Sequence, residues 1–194
     1  MEILVRIINN VCSSPVSESD RGKEVSRSII ANFWQREKLH MREIISPENI
    51  SGFVVGEGCF YVEFGKDIKY LLGTRVRPSF VIELAEDDKD ILDAIQKMIG
   101  CGTVYLVDFG RYQTYYKKNW KRHVRYKVSN ITDIAKKLIP FFKKYPLFGK
   151  KAKAFFFFER ISEMVVLKKH LTSEGLKEIS ELVQQLHLVN KRGL

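Results

Sequence analysis

The chain has 194 residues, enough for one good hydrophobic core, and its 33 Lys and Arg against 23 Asp and Glu give a formal net charge of +10. A basic excess of this size indicates a polyanionic partner, either nucleic acid or an acidic membrane surface. The three cysteines form no CxxC pair, no apolar run reaches the length of a membrane span, and the N-terminus is a poor signal peptide, which together disfavour a disulfide framework, a structural zinc site, a transmembrane protein and a secreted one.

Residues 1–45 are predicted to form a partly irregular N-terminal arm. The segment 12–23 is rich in Ser and has the composition of a linker. Residues 26–39 have an apolar side at helical spacing, which indicates a helix. We therefore expect the arm to precede one domain that covers residues 46–194.

The next element, residues 47–57, is predicted to be a short and nearly uncharged helix. Ser46 supplies a capping hydroxyl, and a proline and an acid follow it in the first turn. The run ISGFVVGEG at 50–58 contains one carboxylate, Glu57, between two glycines, the second of which is predicted to end the helix. Gly52 and Gly56 are four residues apart and share one helix face, where another backbone can approach closely. Such a helix can meet a copy of itself and bring two carboxylates together.

Beyond this helix, apolar residues recur either at every second position, as in a strand, or about every 3.6 positions, as in a helix. The sequence therefore predicts strands interspersed with helices. The predicted strands cover residues 59–64, 75–84, 103–107 and 124–129. The predicted helices begin near residues 87, 130, 149 and 172. The resulting order, αββαββα with further helices after it, gives an α+β fold without an internal repeat.

The outward residues of these strands form a predicted nucleic-acid surface. This face carries Tyr61, Glu63, Arg75, Arg77, Ser79, Tyr105, His123, Arg125 and Lys127. The segment 111–127 has seven Lys or Arg, no acid and interleaved aromatic residues, and its candidate contacts include Arg111, Tyr112, Lys117, Lys118, Trp120 and Arg122. Cations neutralise phosphates, and aromatic groups stack on bases or sugars. The alternative for this segment alone is a solvated hairpin, but the strand alternation and the first helix favour a nucleic-acid surface.

The run ISGFVVGEG resembles the LAGLIDADG motif of homing endonucleases. Later blocks, which are RVRPSFVIEL, IGCGTVY, IPFFKKYPLFGKK and HLTSEGLKEIS with a final NKRGL, are similar to segments that recur in this order in single-motif members. The resemblance covers about residues 46–194. It implies an αββαββα core with a saddle-shaped antiparallel sheet. It also implies a homodimer in which two copies of the motif helix pack together through Ile50, Gly52, Phe53 and Gly56.

The resemblance further implies a metal-dependent active site. The metal-binding acid of the family corresponds to Glu57, so Glu57 and Gly56 are the expected metal-binding end, with Mg²⁺ or Mn²⁺ as the cofactor. Val55 replaces an acid that is usual in the motif. The family also places a basic residue near each scissile phosphate, for which Lys150 is the first choice and Lys151 the second.

The leading hypothesis is therefore a site-specific double-strand DNA endonuclease of a mobile intron or intein, which cuts a long and roughly palindromic site as a homodimer. The alternative is a nucleic-acid-binding protein without nuclease activity, such as an intron RNA-splicing maturase or a DNA-binding regulator, and host intron RNA is then a further partner. A membrane partner is disfavoured because the basic residues follow strands and not an amphipathic helix. We expect the protein in the cytoplasm, or in an organelle matrix if an organelle encodes it.

Overall fold

In the computed structural model, the described residues are 45–70, 72–107 and 122–191. They belong to a compact unit, Ile45–Leu194. The predicted N-terminal arm, with its helix at 26–39, lies outside the described residues and stays a prediction.

Helix α1, Pro47–Glu57, begins and ends where the sequence predicts. The Ser46 hydroxyl accepts a hydrogen bond from the Asn49 N–H at 3.2 Å, which satisfies one of the donors that a helix start leaves without an intrahelical partner. At the other end, Gly58 is extended, with φ −72° and ψ 148°, and it begins the first strand directly. The chain therefore passes from α1 into the sheet without a loop, which fixes Glu57 at the junction.

Four strands form one antiparallel sheet in the order β1-β2-β4-β3. They are β1 (Gly58–Lys66), β2 (Thr74–Ala85), β3 (Thr103–Val107) and β4 (His123–Val128). Each coincides with a predicted strand to within a few residues. Within the described part of the chain, β1 pairs with β2 alone and is therefore an edge strand.

The helices complete the predicted αββαββα order, so the α+β class is confirmed. They are α2 (Lys89–Ile99), α3 in three consecutive stretches (Ile131–Asp133, Ile134–Leu138 and Ile139–Lys144), α4 (Gly149–Val166) and α5 (Ser173–Asn190). The middle stretch of α3 is a π-helix, in which the Ile139 N–H donates to the Ile134 carbonyl five residues back. Pro140 follows at once and has no N–H to donate to the preceding turn, so the wider turn lies where the regular α-helical ladder is interrupted.

An aromatic cluster joins the sheet to α4. The Phe60 ring is fully buried, and its centroid lies 4.9 Å from that of Phe80 in β2 and 5.5 and 5.1 Å from those of Phe155 and Phe158 in α4. Burial of each such side chain contributes about 1.5–3 kcal/mol to stability. The cluster thus fixes the position of α4, whose first turn carries Lys150 and Lys151, against the strand that follows Glu57.

Candidate active site and nucleic-acid interface

A cleft of about 400 Å³ lies where the end of α1 meets the start of α4 and the end of α5. Glu57 lines it from α1, and Lys150 and Lys151 line it from α4. Asn190 and Lys191 line it from the end of α5. The fold therefore brings one carboxylate and three cations from distant parts of the sequence to the same space.

Glu57 is exposed at the C-terminal end of α1. An acid at this end of a helix is disfavoured by about 0.3–1 kcal/mol unless a cation is near, because the helix dipole is negative there. The last carbonyl groups of a helix also lack intrahelical partners. A carboxylate beside such carbonyl oxygens is a donor set that suits a hard divalent cation.

The described part of one chain does not supply a complete set of side-chain ligands for a metal. Among residues 45–70, 72–107 and 122–191, no group of three or more His, Cys, Asp or Glu is placed to hold a metal ion. A divalent cation at Glu57 would need further oxygen ligands from a second chain, from water or from a bound nucleic acid.

Lys151 is held beside the end of α1. It is half-buried, and its Nζ donates a hydrogen bond to the carbonyl oxygen of Gly58, the residue after Glu57. Lys150 lines the same cleft but is exposed. Neighbouring residues of a helix point about 100° apart. The geometry favours Lys151 as the positioned cation, which reverses the order of preference from the sequence.

Side chains from both C-terminal helices donate hydrogen bonds to carbonyl groups at the outer edge of β1. The carbonyl of Gly58 accepts from Lys151 in α4, and the carbonyl of Phe60 accepts from Asn190 Nδ2 in α5 at 2.8 Å. These contacts satisfy acceptors that an edge strand leaves unpaired. They also attach the ends of two helices to the strand that begins at the cleft. In the sequence, Asn190 is the first residue of the final block NKRGL, but nothing there indicates this contact with β1.

Ser51 connects α1 to the segment that precedes α4. Its hydroxyl is buried and donates to the carbonyl of Tyr145 at 2.7 Å. A buried hydroxyl needs such a partner, because leaving it unsatisfied costs about 1–3 kcal/mol. The bond helps to fix the segment before Lys150 and Lys151 relative to the helix that carries Glu57.

We expect Gly58→Ala to destabilise the fold by about 1–3 kcal/mol, the usual range for overpacking. A Cβ at this position would lie 2.6 Å from Val54 Cγ1 and 2.8 Å from the Val54 carbonyl oxygen, and Val54 is itself completely buried. Chemical denaturation measures the loss. Gly65→Ala is the matched control, since a Cβ there meets no atom within 4 Å. Equal stability of the two variants would contradict the predicted packing.

Gly52 and Gly56 form an open face of α1. Both are exposed, and a Cβ built on either would meet no atom within 4 Å. Phe53 beside them is half-buried. Ile50 differs, because it is 2% exposed and packs in the core of this chain. We therefore correct the predicted interface by removing Ile50, which lies on the side of α1 that faces the sheet.

The strand register places the predicted outward side chains on one face of the sheet. The pairs across the ladders are Tyr61 with Ser79, Glu63 with Arg77, Gly65 with Arg75, His123 with Val107, Lys127 with Thr103, and Arg125 with both Glu83 and Tyr105. The helices pack on the opposite face through residues such as Phe60 and Phe80. The first face is therefore the one left for a ligand.

Ser79 is an exception on this outward face. It is 0% exposed, and its hydroxyl has no hydrogen-bond partner among the described residues. The much larger Tyr61 lies directly opposite in the ladder. A direct contact between Ser79 and a nucleic acid is not supported, because longer neighbouring side chains exclude solvent from it.

Carboxylates on the same face orient several of the cations. Lys127 Nζ lies 3.1 Å from Glu63 Oε1 and 5.7 Å from the centroid of the Tyr61 ring. Burial alone would lower the pKa of Lys127, but hydrogen bonds with Tyr61 and Glu63 outweigh it and raise the pKa. Arg77 Nη1 is 3.9 Å from Glu63 Oε2. Pairs this exposed contribute at most about 1 kcal/mol each, so their main effect is on side-chain orientation.

The basic segment between β3 and β4 is only partly described. The predicted contacts outside the described residues are Arg111, Tyr112, Lys117, Lys118 and Trp120. Arg122 is described and exposed, with Nε 3.5 Å from Glu86 Oε2. None of the described helices has the length and apolar character that crossing a membrane requires.

Comparison with known proteins identifies relatives of this chain. The family model described as LAGLIDADG endonuclease matches residues 50–162. The "Probable intron-encoded endonuclease 2" of Neurospora crassa is 35% identical over 137 residues, which are 71% of this chain but 28% of that protein. This chain thus spans little more than a quarter of that relative.

Solved structures extend the comparison to the fold. The homing endonuclease I-TnaI is 31% identical, with a TM-score of 0.61, and the match covers 75% of this chain and 95% of that one. The I-LtrWI LAGLIDADG homing endonuclease bound to target DNA is 32% identical, with a TM-score of 0.65, and the match covers 73% of this chain and 44% of that one. This chain therefore corresponds to nearly all of the first structure and to less than half of the second.

Proposed function

This chain belongs to the LAGLIDADG endonuclease family, and on that premise we propose that it is a site-specific double-strand DNA endonuclease that acts as a homodimer with a divalent metal. The observation that carries the proposal is the cleft in which Glu57 and Lys151 meet at the start of β1. The outward face of the sheet begins at the same end of β1, so DNA on that face would pass the cleft.

We assign the metal to Glu57, with Mg²⁺ or Mn²⁺ as the cation. The carboxylate and the carbonyl oxygens at the end of α1, including that of Gly56, are the hard oxygen donors that these ions prefer. When bound, a divalent cation supplies Lewis-acid stabilisation of the charge that develops on the reacting phosphate. Glu57 and these carbonyl oxygens would hold the cation, and the Gly58 carbonyl holds Lys151 beside them.

We propose that the open face of Gly52 and Gly56 is the contact between two copies of α1. Without side chains at these positions, two helices can approach closely. Phe53 would pack at the edge of this contact. A two-fold axis there would bring together two Glu57 carboxylates and so add a second acid to the one that the described part of each chain places at the cleft. The two clefts would then face opposite strands of the DNA, as a double-strand break requires.

The length of the sheet sets the expected length of the target. β1 has nine residues, which span roughly 30 Å at about 3.4 Å per residue. B-DNA rises about 3.4 Å per base pair. One chain would therefore follow on the order of nine base pairs of the major groove, and a homodimer a roughly palindromic site of about twice that length.

We expect Lys151→Met to lower the single-turnover cleavage rate by about 10²- to 10³-fold, the usual loss when one positioned donor to the reacting group is removed. Lys151 Nζ is held at the Gly58 carbonyl, beside Glu57. The rate is measured at saturating DNA, so that weaker binding does not enter it.

The matched control is Lys150→Met, which removes the same charge from the exposed neighbour and should change the rate by less than about tenfold. Lys151→Arg should recover part of the rate, because it restores a cation without the same geometry. A larger loss from Lys150→Met than from Lys151→Met would assign the role to Lys150.

Cleavage of a cognate plasmid tests the proposed function. The substrate carries the DNA on either side of the element that encodes this chain, joined without the element, because mobile introns and inteins insert where their endonucleases cut. We expect a double-strand break in Mg²⁺ and none in EDTA. Binding without cleavage in Mg²⁺ and in Mn²⁺ would instead favour the non-cleaving alternative, and splicing of the host intron RNA would then be the assay.

A further inference from the structure

Glu83 is an acid on the outward face of the sheet, in the inner strand β2. In the register it lies directly opposite Arg125, and Arg125 lies directly opposite Tyr105. Glu83 Oε2 accepts from Arg125 Nε at 2.8 Å and from Nη2 at 2.5 Å. Glu83 Oε1 is 3.0 Å from His123 Nδ1. One carboxylate therefore holds two of the cationic or polar side chains that face the ligand.

Contacts within the fold determine the protonation states of Glu83 and Arg125. Burial would raise the pKa of Glu83, but hydrogen bonds with His123 and Arg125 and their charges outweigh it, so the pKa is below its ordinary value. Burial would lower the pKa of Arg125, but hydrogen bonds with Glu83 and Tyr105 raise it. Glu83 is therefore ionised at neutral pH and can only accept hydrogen bonds. The His123 Nδ1 must then carry the proton that it shares with Glu83.

The contacts leave a defined edge of the Arg125 guanidinium for recognition. Arginine has five N–H donors in one plane. Glu83 takes the Nε donor and one Nη2 donor. This leaves three donors on the two terminal nitrogens for Tyr105, which lies opposite in β3, and for a ligand. Two parallel donors at this end of arginine match the O6 and N7 acceptors of guanine in the major groove.

We propose that Glu83 is a specificity-determining residue that holds Arg125 in position to read a guanine in each half of the DNA target. The inference rests on the proposed function, because it assigns one base contact to the surface described there. Arg125 is preorganised, since a side chain that is already held loses less conformational freedom when it binds. Because β2 is an inner strand of the sheet, an acid on it would face base edges and stay away from the phosphates at the rims of the groove.

The strand register also predicts which part of each half of the target contains the guanine. Glu83 follows Ile82, which pairs with Gly58 at the first position of β1. The far end of the ladder is the pair of Lys66 and Thr74. Arg125 is thus on the part of the sheet nearest Glu57. The guanine is expected in the inner part of each half-site, close to the cut.

Selection from a randomised duplex DNA library tests the inference. The full chain binds the library in Ca²⁺ at fixed salt, and the bound pool is sequenced. We expect the natural chain to enrich a two-fold-symmetric motif with a guanine at one inner position of each half. Glu83→Gln should reduce the preference for that guanine by about tenfold to a hundredfold and leave the other positions unchanged.

Glu159→Gln is the matched control. It removes the same charge from a carboxylate of α4 that pairs with Lys143 in α3, on the helical side of the sheet, and the motif should be unchanged. Arg125→Lys keeps the positive charge but not the planar pair of donors, so it should also lose the guanine preference. This second variant keeps the inference testable if Glu83→Gln fails to fold, which circular dichroism reveals.

The outcomes separate the inference from the proposed function. If the natural chain enriches no motif, site-specific recognition fails and the inference fails with it. If the natural chain enriches a motif and either Glu83→Gln or Arg125→Lys retains it at every position, the inference alone is overturned. A guanine preference that is lost in both variants and kept in Glu159→Gln supports the inference.

Discussion

Glu57→Gln should abolish DNA cleavage while DNA binding is retained. The substitution preserves the size of the side chain but removes the charge that would hold a divalent cation at the end of α1. A bound metal contributes several kcal/mol to stabilisation of the transition state, and each 1.4 kcal/mol is tenfold in rate. We therefore expect the single-turnover rate in Mg²⁺ to fall by about a thousandfold or more.

Glu48→Gln is the control for this variant. Glu48 is an exposed acid in the first turn of the same helix, at the end away from the cleft. Its loss should cost about 0.3–1 kcal/mol of stability through the helix dipole and leave the cleavage rate unchanged. A mobility-shift assay with the cognate DNA measures binding for both. Undiminished cleavage by Glu57→Gln would refute the assignment of the metal to this residue.

Replacing Gly52 and Gly56 together by Leu should produce a folded monomer that makes no double-strand break. Within one chain, a Cβ at either position meets open space, and leucine is a better helix former than glycine by up to about 1 kcal/mol per residue. The fold should therefore survive. Between two chains, the added side chains would keep the helices apart and separate the two Glu57 carboxylates.

Sedimentation equilibrium and thermal unfolding separate these effects. We expect the natural chain to sediment as a dimer and the double variant as a monomer, with intact secondary structure in both. Gly65→Leu places the same side chain at another open position in β1 and should leave the dimer intact. A double variant that remains dimeric would exclude this face of α1 as the interface.

Much of the fold could be predicted because its signals are local. Alternation in β1 predicts Tyr61 and Glu63 on the outward face, and the residues between and beside them, Phe60 and Val62, are indeed buried; the cap at Ser46 predicts the start of α1, which the structure confirms. Helical spacing gives α2 an apolar stripe of Ile91, Leu92, Ile95, Met98 and Ile99, but Met98 at its end is 45% exposed. Sequence spacing predicts which side of a helix is buried. How far along the helix that burial extends depends on the elements that pack against it.

The parts of the site that could not be predicted depend on contacts between distant segments. The preference for Lys151 over Lys150 follows from the rotation of α4 about its axis, which the packing of the Phe cluster fixes and the motif does not encode. The pairing of Glu83 with Arg125 requires the strand register, and a charged residue in a strand gives no sign of its partner. The resemblance implies Ile50 at the helix contact, but Ile50 is buried in the core of this chain, because in a helix that is apolar nearly all around the sequence alone does not show which side faces the sheet.

The hydrogen bond from Lys151 to the Gly58 carbonyl bears on how this protein would evolve if selection for cutting were relaxed. Lys151 is tied to the edge of β1, so mutations there would disturb the fold as well as the chemistry. Glu57 is exposed, and its loss would leave the core intact. Descendants that keep only nucleic-acid binding should therefore lose the acid at position 57 early and retain Lys151 for its bond to β1.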